Sequence, residues 1–302
     1  MSVRPHGILV IDKPAGPTSF QMVREVRRRF ALKKVGHAGT LDPFATGVLL
    51  LCCGAATKLT PYLLELPKTY QATMCLGVET DTQDYTGTVV TRSEHLPSPA
   101  AIQATLENLL GPHWQTPPPY SAVHVGGRRL YEYARQGLSV TVAPRPIYIY
   151  AVTVATIALP HVTFTVTCSK GTYIRTLAAD LGRQWGCGAH LQALRRLQVG
   201  PFTLERAVPA WDNRPTDVLL QQHLIPLVDC LPQMPALAVD PAAAARLRHG
   251  QAIPAPSWFA VQGEGQPYYR LICQGELVAV ATLTATHLLQ PERVFPPLDD
   301  LG

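Results

Sequence analysis

A single carboxylate, Asp42, stands in a glycine-rich stretch that runs from Gly36 to Gly47. It is the only acidic residue between Glu25 and Glu65, and the segment before it is basic. An ionised carboxylate can attack an electrophilic carbon or remove a proton, and neighbouring cations favour its charged form. The stretch alone fits an ordinary turn equally well, so a structural and a chemical interpretation of Asp42 both stay open.

Groups that could assist such an anion lie far from it in the chain. Tyr70 falls in an alternating segment, residues 69–76, that predicts a strand, while Tyr173 and Arg175 open a predicted helix. Being two residues apart, these last two point to different sides, so one could face a ligand while the other braces the adjoining loop. A tyrosine on an alternating strand is, by itself, more often a core residue.

The apolar periodicity predicts the elements that must position these groups. Thr18 or Ser19 can cap one helix and Ser98 another. We predict strands over residues 7–12, 48–53, 69–76, 88–91, 147–159, 162–167, 270–273 and 277–283. We predict helices after Thr18, near residues 57–66, after Ser98, over 172–185 and over 191–197, the last one carrying Arg195 and Arg196.

Composition narrows the class of protein. The 302 residues are 47% hydrophobic and 16% charged, as expected for a globular chain with one large domain and one small one. The apolar run at residues 48–53 is far too short to span a membrane. Seven cysteines without a C-x-x-C pair, and histidines without ligand spacing, predict reduced thiols, no metal and a cytoplasmic location.

The net charge of +5 is concentrated in clusters. These are residues 24–34, Arg128 with Arg129 and Arg135, and Arg195 with Arg196. Any one cluster could be a solvated face, but together they indicate a polyanionic partner. Around Tyr131, arginines alternate with tyrosines, a mixture that suits phosphates and bases.

Four separated segments carry a resemblance to a known family. They are Ile11-Asp12-Lys13-Pro14 with Thr18-Ser19, the stretch from Gly36 to Gly47, Tyr120-Ser121-Ala122 with Leu130-Tyr131-Glu132-Tyr133-Ala134-Arg135, and Cys168-Ser169-Lys170-Gly171-Thr172-Tyr173-Ile174-Arg175. With these segments, from Gly7 to about Thr203, the chain resembles the TruB family of tRNA pseudouridine-55 synthases. Together the segments are highly specific, although each alone is weak.

The resemblance implies an α+β pseudouridine-synthase fold, in which helices and loops flank a mixed, mostly antiparallel sheet. The catalytic domain would span residues 1–232 and include an RNA-gripping segment near 120–145. A small β-rich domain over residues 236–296 resembles the family's PUA-like RNA-binding domain.

The implied reaction is isomerisation of the T-loop uridine of tRNA, which needs no cofactor. Asp42 matches the family's catalytic aspartate, which either attacks C1′ or removes the C2′ proton, and the sequence does not choose between these routes. By the same resemblance, Arg175 pairs with Asp42, Tyr70 stacks on the target base, and Tyr173 packs against the base or assists proton removal at C5.

The resemblance also implies how RNA is held. His37 matches a histidine that inserts into the T loop, Lys13 would buttress the site, and Leu194 would form the apolar wall of the uracil pocket. The remaining candidates for gripping the T stem-loop are cationic or aromatic, namely Lys58, Arg128, Arg129, Tyr131, Arg135 and Arg196.

Three other functions share part of these features. The catalytic subunit of a guide-RNA pseudouridylation complex shares the aspartate loop, but the segment 126–145 and the absence of a lysine-rich tail favour a stand-alone monomer without guide RNA. A pure RNA-binding module would not need Asp42, Tyr70, Tyr173 and Arg175 together. A glycosidase would need a second carboxylate in a matching motif, and none is found.

Overall fold

The computed structural model describes residues 5–210, 214–256 and 268–297. The helices are α1 (Ser19–Arg29), α2 (Thr60–Glu65), α3 (Pro99–Glu107), α4 (Leu130–Ala134), α5 (Ile174–Gln184), α6 (Thr216–His223) and α7 (Pro241–Arg248). Short 3₁₀ turns occupy Gly54–Leu59, Leu204–Arg206 and Leu227–Asp229.

The strands alternate with these helices along the chain. The first ten are β1 (Gly7–Lys13), β2 (Val35–His37), β3 (Thr46–Cys53), β4 (Lys68–Leu76), β5 (Val78–Thr80), β6 (Val89–Arg92), β7 (Gly111–Gln115), β8 (His124–Val125), β9 (Arg128–Arg129) and β10 (Arg145–Ala158). The others are β11 (His161–Cys168), β12 (Ala189–Val199), β13 (Phe202–Thr203), β14 (Val208–Pro209), β15 (Ile225–Pro226), β16 (Ala236–Ala238), β17 (Ile253–Pro254), β18 (Tyr269–Cys273), β19 (Glu276–Leu283) and β20 (Leu288–Val294).

One large mixed sheet organises the first two-thirds of the chain. Its order is β14-β1-β3-β12-β4-β11-β10-β7, while β13 pairs with β12, β15 with β1 and β2 with β3. Within this sheet, and among the described residues, only the pairings of β1 with β14 and of β3 with β12 are parallel. The sheet is therefore mixed and mostly antiparallel, as the resemblance implied.

The two faces of this sheet bury separate cores. One core joins α1, α3 and α5 to the sheet and includes Leu41, Phe44 and Tyr70. The other lies beneath α2 and reaches the C-terminal region through Phe295. Because β1 and β3 are covered on both faces, their sequences are continuous apolar runs rather than alternating ones.

Residues 191–197 are not a helix, so that prediction was wrong. They belong to β12, which pairs with β4 on one side and with β3 on the other. Register shifts next to Leu191 and Arg196 offset the inward positions, so the buried residues are Leu191, Leu194, Arg196 and Val199. This spacing of three, two and three imitates a helical pattern, and sheet pairing overrides it.

Other differences are smaller. Thr18 caps α1 in a capping box with Gln21, as expected. The segment near residues 57–66 is a 3₁₀ turn followed by α2, and Pro61 lies in the first turn of α2, where proline is tolerated. Helix α5 begins at Ile174, so Tyr173 is its N-cap residue rather than part of its first turn.

A second, five-stranded sheet lies at the C-terminal end, in the order β16-β18-β19-β20-β17. It has its own core, built from residues such as Leu237, Leu271 and Leu289, and α7 adds Leu247. Residues 257–267 of the predicted second domain lie outside the described residues. No helix in the described part of the chain is long and apolar enough to cross a membrane.

Candidate active site

The Asp42 loop joins β2 to β3, and side chains from β1 and α1 hold its backbone in place. The Lys13 ammonium donates to the carbonyl oxygens of Pro43, at 3.1 Å, and Ala45, at 2.8 Å. The Ser19 hydroxyl, at the start of α1, accepts from the Leu41 N–H at 2.9 Å and donates to the Leu41 carbonyl at 3.1 Å. The backbone on both sides of Asp42 is therefore fixed by side chains from neighbouring elements.

Asp42 forms a bidentate salt bridge with Arg175, the second residue of α5. Nε of Arg175 lies 2.8 Å from Oδ2, and Nη2 lies 3.2 Å from Oδ1. The Arg175 side chain is 4% exposed, whereas that of Asp42 is 32% exposed. The geometry favours an ionised carboxylate that stays open to an incoming ligand on its other side.

Arg175 also ties two further segments to the site. Nη1 donates to the Thr82 carbonyl at 2.9 Å, and Nη2 donates to the Tyr120 carbonyl at 2.9 Å. A second carboxylate, Asp84, places Oδ2 3.8 Å from Nε of Arg175. One guanidinium thus orients the Asp42 loop, the 80–86 loop and the segment around Tyr120.

Sequence reasoning missed Asp84. Its Oδ1 accepts from the Thr86 N–H at 3.0 Å and from the Thr82 hydroxyl at 2.9 Å, and its side chain is buried. The signal in the sequence was the pair Thr82 and Thr86, which lie two residues before and two residues after Asp84. Such residues can bind the carboxylate within its own loop and so fix its direction. Only the structure shows that this direction is toward Arg175.

Tyr70 and Leu194 lie in the same core cluster as the apolar residues of the Asp42 loop. Tyr70 is on β4 and Leu194 on the adjacent β12, and both are buried. Burial raises the pKa of Tyr70, so its phenol is neutral near pH 7. An apolar, uncharged surface of this kind suits the face of a planar base.

The backbone of Tyr173 is clamped by the side chain of Gln115 on β7. Gln115 accepts from the Tyr173 N–H at 2.7 Å and donates to the Tyr173 carbonyl at 3.0 Å. Burial also raises the pKa of Tyr173. Its position next to Ile174 and Arg175 puts it at the entrance of α5, beside the ion pair.

Two family models match the sequence that carries this site. The family model described as "TruB family pseudouridylate synthase (N terminal domain)" matches residues 27–174, and the "tRNA pseudouridylate synthase B C-terminal domain" matches residues 175–231. The chain belongs to the TruB family. Asp42 lies within the first match, and Arg175 is the first residue of the second.

Two relatives show how similar this chain is in sequence to other proteins of the TruB family. "tRNA pseudouridine synthase B" of Syntrophus aciditrophicus (strain SB) is 47% identical over 247 residues, covering 81% of this chain and 79% of that protein. The protein of the same name from Syntrophobacter fumaroxidans is 46% identical over 251 residues, covering 82% of each.

Solved structures agree with the fold. A chain in an H/ACA RNP bound to a substrate RNA containing 2′-deoxyuridine superposes with a TM-score of 0.75 at 25% identity, covering 99% of this chain and 87% of that one. A chain of a Cbf5-Nop10-Gar1 complex gives a TM-score of 0.74 at 26% identity, covering 99% and 88%.

Arg196 does not fit the RNA-binding role that was predicted for it. It is 1% exposed, and its guanidinium donates to three backbone carbonyls, those of Val48 at 2.6 Å, Gly39 at 3.1 Å and Thr40 at 3.3 Å. A phosphate cannot reach it there. The error has the same origin as the wrong helix, because a helix would have exposed this arginine while the strand turns it inward.

Lys13 is completely buried, in agreement with a buttressing role. Burial lowers its pKa to about 8, against the opposing attraction of Asp42. Its ammonium donates to Pro14 as well as to the two carbonyls of the Asp42 loop. The Asp42 loop is therefore supported by an ammonium group that loses its proton at a lower pH than an ordinary lysine does.

His37 ends β2, just before the Asp42 loop. Burial, Arg196 and Arg129 lower its pKa, in that order, which favours the neutral ring. Its Nδ1 is buried and has no hydrogen-bond partner among the described residues. A polar atom in this state is unfavourable unless a ligand completes it.

The segment around α4 presents cations to solvent. Arg128 and Arg129 form β9 and are exposed, as is Arg135. The guanidinium carbons of Arg129 and Arg135 lie 6.0 Å and 5.3 Å from the centre of the Tyr131 ring. The predicted mixture of arginine and tyrosine is therefore a real cluster, and its contact with RNA stays a prediction.

Lys58 is exposed, but its first partner is the C-terminal region. Its ammonium donates to the Val294 carbonyl at 2.8 Å and lies 5.5 Å from the centre of the Phe295 ring. This contact joins the turn after β3 to the end of β20. A contact between Lys58 and RNA stays a prediction.

The described residues contain no cluster of three or more histidine, cysteine or acidic side chains that could hold a metal ion. What the site offers is one accessible anion, a guanidinium that keeps it charged and an apolar wall. This set can act on a sugar carbon or a weakly acidic proton next to a planar base.

Proposed function

We propose that this TruB-family enzyme converts uridine 55 in the T loop of tRNA to pseudouridine. The observation that carries the proposal is the bidentate ion pair of Asp42 and Arg175, which leaves the carboxylate partly exposed. The apolar residues of the Asp42 loop share a core cluster with Tyr70 and Leu194. The relatives at 46–47% identity are named for this class of reaction.

The reaction breaks the N1–C1′ bond, turns the uracil and forms a C5–C1′ bond, after which C5 loses its proton and N1 carries one. Asp42 starts it either by attacking C1′ or by taking the C2′ proton, and both routes need the ionised form. Tyr70 stacks on the uracil. Tyr173 packs against the base or assists removal of the C5 proton. Burial raises its pKa, so its phenol is neutral near pH 7, which favours the packing role.

A base inside a folded loop must first be extruded, which costs a few kcal/mol of unstacking. Contacts to the T stem-loop offset this cost, and we assign them to His37 and to Arg128, Arg129, Tyr131 and Arg135. The position of His37 at the end of β2, just before the Asp42 loop and with its ring partly exposed, supports insertion into the loop. Lys58 and the C-terminal, PUA-like region over residues 236–296 would contact RNA farther away.

The same fold also serves in guide-RNA particles, so a guide-dependent subunit is the second candidate. The stand-alone form is favoured because the relatives named tRNA pseudouridine synthase B are far more similar than the chains from those particles. We therefore propose a monomer that acts without guide RNA. A cytoplasmic location suits its substrate and its seven free cysteines.

Tritium release tests this function directly. An unmodified tRNA transcript labelled at uracil C5 should lose its label on incubation with the protein, without guide RNA and in the presence of a metal chelator. Asp42→Asn should abolish release while tRNA binding persists. Asp180→Asn is the matched control, because Asp180 also pairs with an arginine, Arg183 at 3.0 Å, but on the exposed side of α5.

The outcomes separate the candidates. Release that depends on an added guide RNA would favour the complex subunit, and binding without release would indicate a pure RNA-binding protein. Turnover by Asp42→Asn would refute the role of Asp42.

A further inference from the structure

Helix α1 is amphipathic, and its outer side is strongly basic. Its buried residues are Ser19, Met22, Val23 and Val26. The exposed cations of the helix and of the following turn form a surface that we name the α1 basic face, consisting of Arg24, Arg27, Arg28, Lys33 and Lys34. Nothing in the reaction described above uses this surface.

The charges of the α1 basic face are poorly neutralised within the protein. Glu25 pairs with Arg28, whose side chain remains 80% exposed. Arg24 lies 5.6 Å from the ring centre of Phe20, which is itself 63% exposed. Within the described residues, no acidic partner contacts the other three cations. Because Arg24 is three and four positions from Arg27 and Arg28, these like charges repel on one helix face.

The other cationic clusters of the large sheet behave differently. Arg175 and Arg196 are buried and point to carbonyl or carboxylate oxygens, and so does Lys13. Arg195 pairs with Asp12 at 2.8 Å. These cations hold the fold together, whereas those of the α1 basic face, apart from Arg28 in its pair with Glu25, are left to solvent and repel one another. An external anion would relieve that repulsion.

The α1 basic face lies on the catalytic side of the sheet. Met22, Val23 and Val26 belong to the same core as Leu41 and Tyr70. Ser19 ties the start of α1 to the Asp42 loop, and the helix then runs 11 residues away, about 16 Å at 1.5 Å per residue. The chain returns through Lys33 and Lys34 to β2, which ends at His37. The surface is therefore rigidly linked to the site but extends well beyond it.

We infer that the α1 basic face binds the sugar–phosphate backbone of the substrate tRNA outside the T stem-loop. The inference rests on the proposed function, because Asp42 fixes where the T loop must sit. Arginine and lysine side chains spread over an open helix face contact phosphates rather than read base edges. The full tRNA would thus gain contacts that an isolated T stem-loop cannot make.

Binding to two RNAs tests the inference. Dissociation constants of full-length unmodified tRNA and of its isolated T stem-loop are measured over 50–300 mM salt. The protein carries Asp42→Asn, so that neither RNA reacts, and is compared with the same protein bearing Arg24→Gln and Arg27→Gln. Glutamine preserves helix propensity. The matched control removes two exposed arginines elsewhere, Arg92→Gln with Arg206→Gln, and circular dichroism confirms folding.

The expected result is selective. The Arg24→Gln/Arg27→Gln pair should weaken tRNA binding about tenfold at 0.1 M salt and lower the magnitude of the salt slope by about 2, because each lost phosphate contact removes roughly 0.9. Affinity for the stem-loop should stay unchanged, and the control pair should affect neither RNA.

Equal weakening for both RNAs, or no weakening for either, would overturn the inference. Failure of the proposed function has a different signature. A wild-type protein that released no tritium from either RNA would contradict that function and the inference together, whereas release from both with no selective loss in the variant would contradict the inference alone.

Discussion

Arg175 and Asp42 are 133 positions apart in the chain, yet two nitrogens of one guanidinium meet both oxygens of one carboxylate. The arginine is almost fully buried, and it also donates to the backbone carbonyls of Thr82 and Tyr120. It is therefore a fixed part of the scaffold, and Asp42 is oriented by it. The pair depends on the planar fork of arginine more than on its charge alone.

Replacing Arg175 by lysine should separate these two contributions. Arg175→Lys keeps the charge but loses the two-pronged geometry and the bonds to Thr82 and Tyr120. We expect single-turnover tritium release to fall at least a hundredfold, by analogy with the misplacement of a catalytic group. Arg175→Met should also lose about 3 kcal/mol of unfolding free energy in urea, because it leaves the buried Asp84 and the partly exposed Asp42 without their guanidinium partner. Wild-type turnover in Arg175→Lys would contradict a geometric role.

The buried ammonium of Lys13 should set an alkaline limit to activity. Its pKa is lowered to about 8, so it loses its charge and one N–H as the pH rises through 8, and the carbonyls of Pro43 and Ala45 lose part of their support. Turnover should therefore decline above pH 8. Single-turnover rates between pH 6.5 and 9.5 measure this decline.

The unfolding free energy, in contrast to turnover, should gain from the deprotonation of Lys13 as the pH rises. The folded pKa of Lys13 lies below its ordinary value of 10.5, so the unfolded chain binds more protons between pH 8 and 10.5. The contribution of Lys13 to the unfolding free energy therefore rises with pH in that window. Lys13→Met should lower turnover at every pH and remove the decline. Lys68→Met is the control, since the pKa of Lys68 is also about 8 but its ammonium bonds to Leu64 and Leu66.

Gly47 should not tolerate a side chain. Its φ is +102°, and a Cβ there would lie 2.2 Å from the carbonyl oxygen of Arg196 on the adjacent strand. Gly47→Ala should destabilise the protein by about 3 kcal/mol or more and displace the Asp42 loop. Gly186→Ala is the control, because Gly186 has a φ of +74° with no neighbour within 4 Å and should cost only about 1–2 kcal/mol. Urea unfolding compares the two, and equal losses would argue against the close approach of β3 and β12.

The buried thiol of Cys53 should make stability fall in alkaline solution. Burial raises its pKa from 9.0 to about 12, so its stabilising contribution is complete below pH 9 and is lost as the pH rises toward 12. The stability difference between wild type and Cys53→Ala should shrink by about 2–3 kcal/mol from pH 8 to pH 11, at roughly 1.4 kcal/mol per pH unit. Cys75→Ala, at a half-buried position, should show a smaller change. A difference that is independent of pH would contradict the assignment.

The cluster around Tyr131 should act through phosphates. Arg129→Gln and Arg135→Gln should each lower the magnitude of the salt slope for T stem-loop binding by about 1. Arg206→Gln, at an exposed position in the 3₁₀ turn Leu204–Arg206, should leave the salt slope unchanged. A slope that did not respond to Arg129 or Arg135 would remove this segment from the RNA-binding surface.

Much of the site could be predicted because its motifs are local. The glycine-rich stretch around Asp42, the strand with Tyr70 and the turn before Arg175 are each short patterns, and their family resemblance implied the fold that the structure shows. The nature of the reaction followed from the same resemblance. Their roles remain predictions for the experiments above.

Other features depended on residues that meet only in the folded chain. The inward position of Arg196 follows from two register shifts in β12, which no single-strand pattern reveals. The approach of Asp84 to Arg175, and the unneutralised outer side of α1, likewise depend on which elements become neighbours. The sequence by itself determined the chemical groups and the short segments that present them, because local propensity and spacing act within a few residues. Only the tertiary structure decided which charges are buried, paired or left to solvent, because pairing and burial depend on contacts between distant parts of the chain.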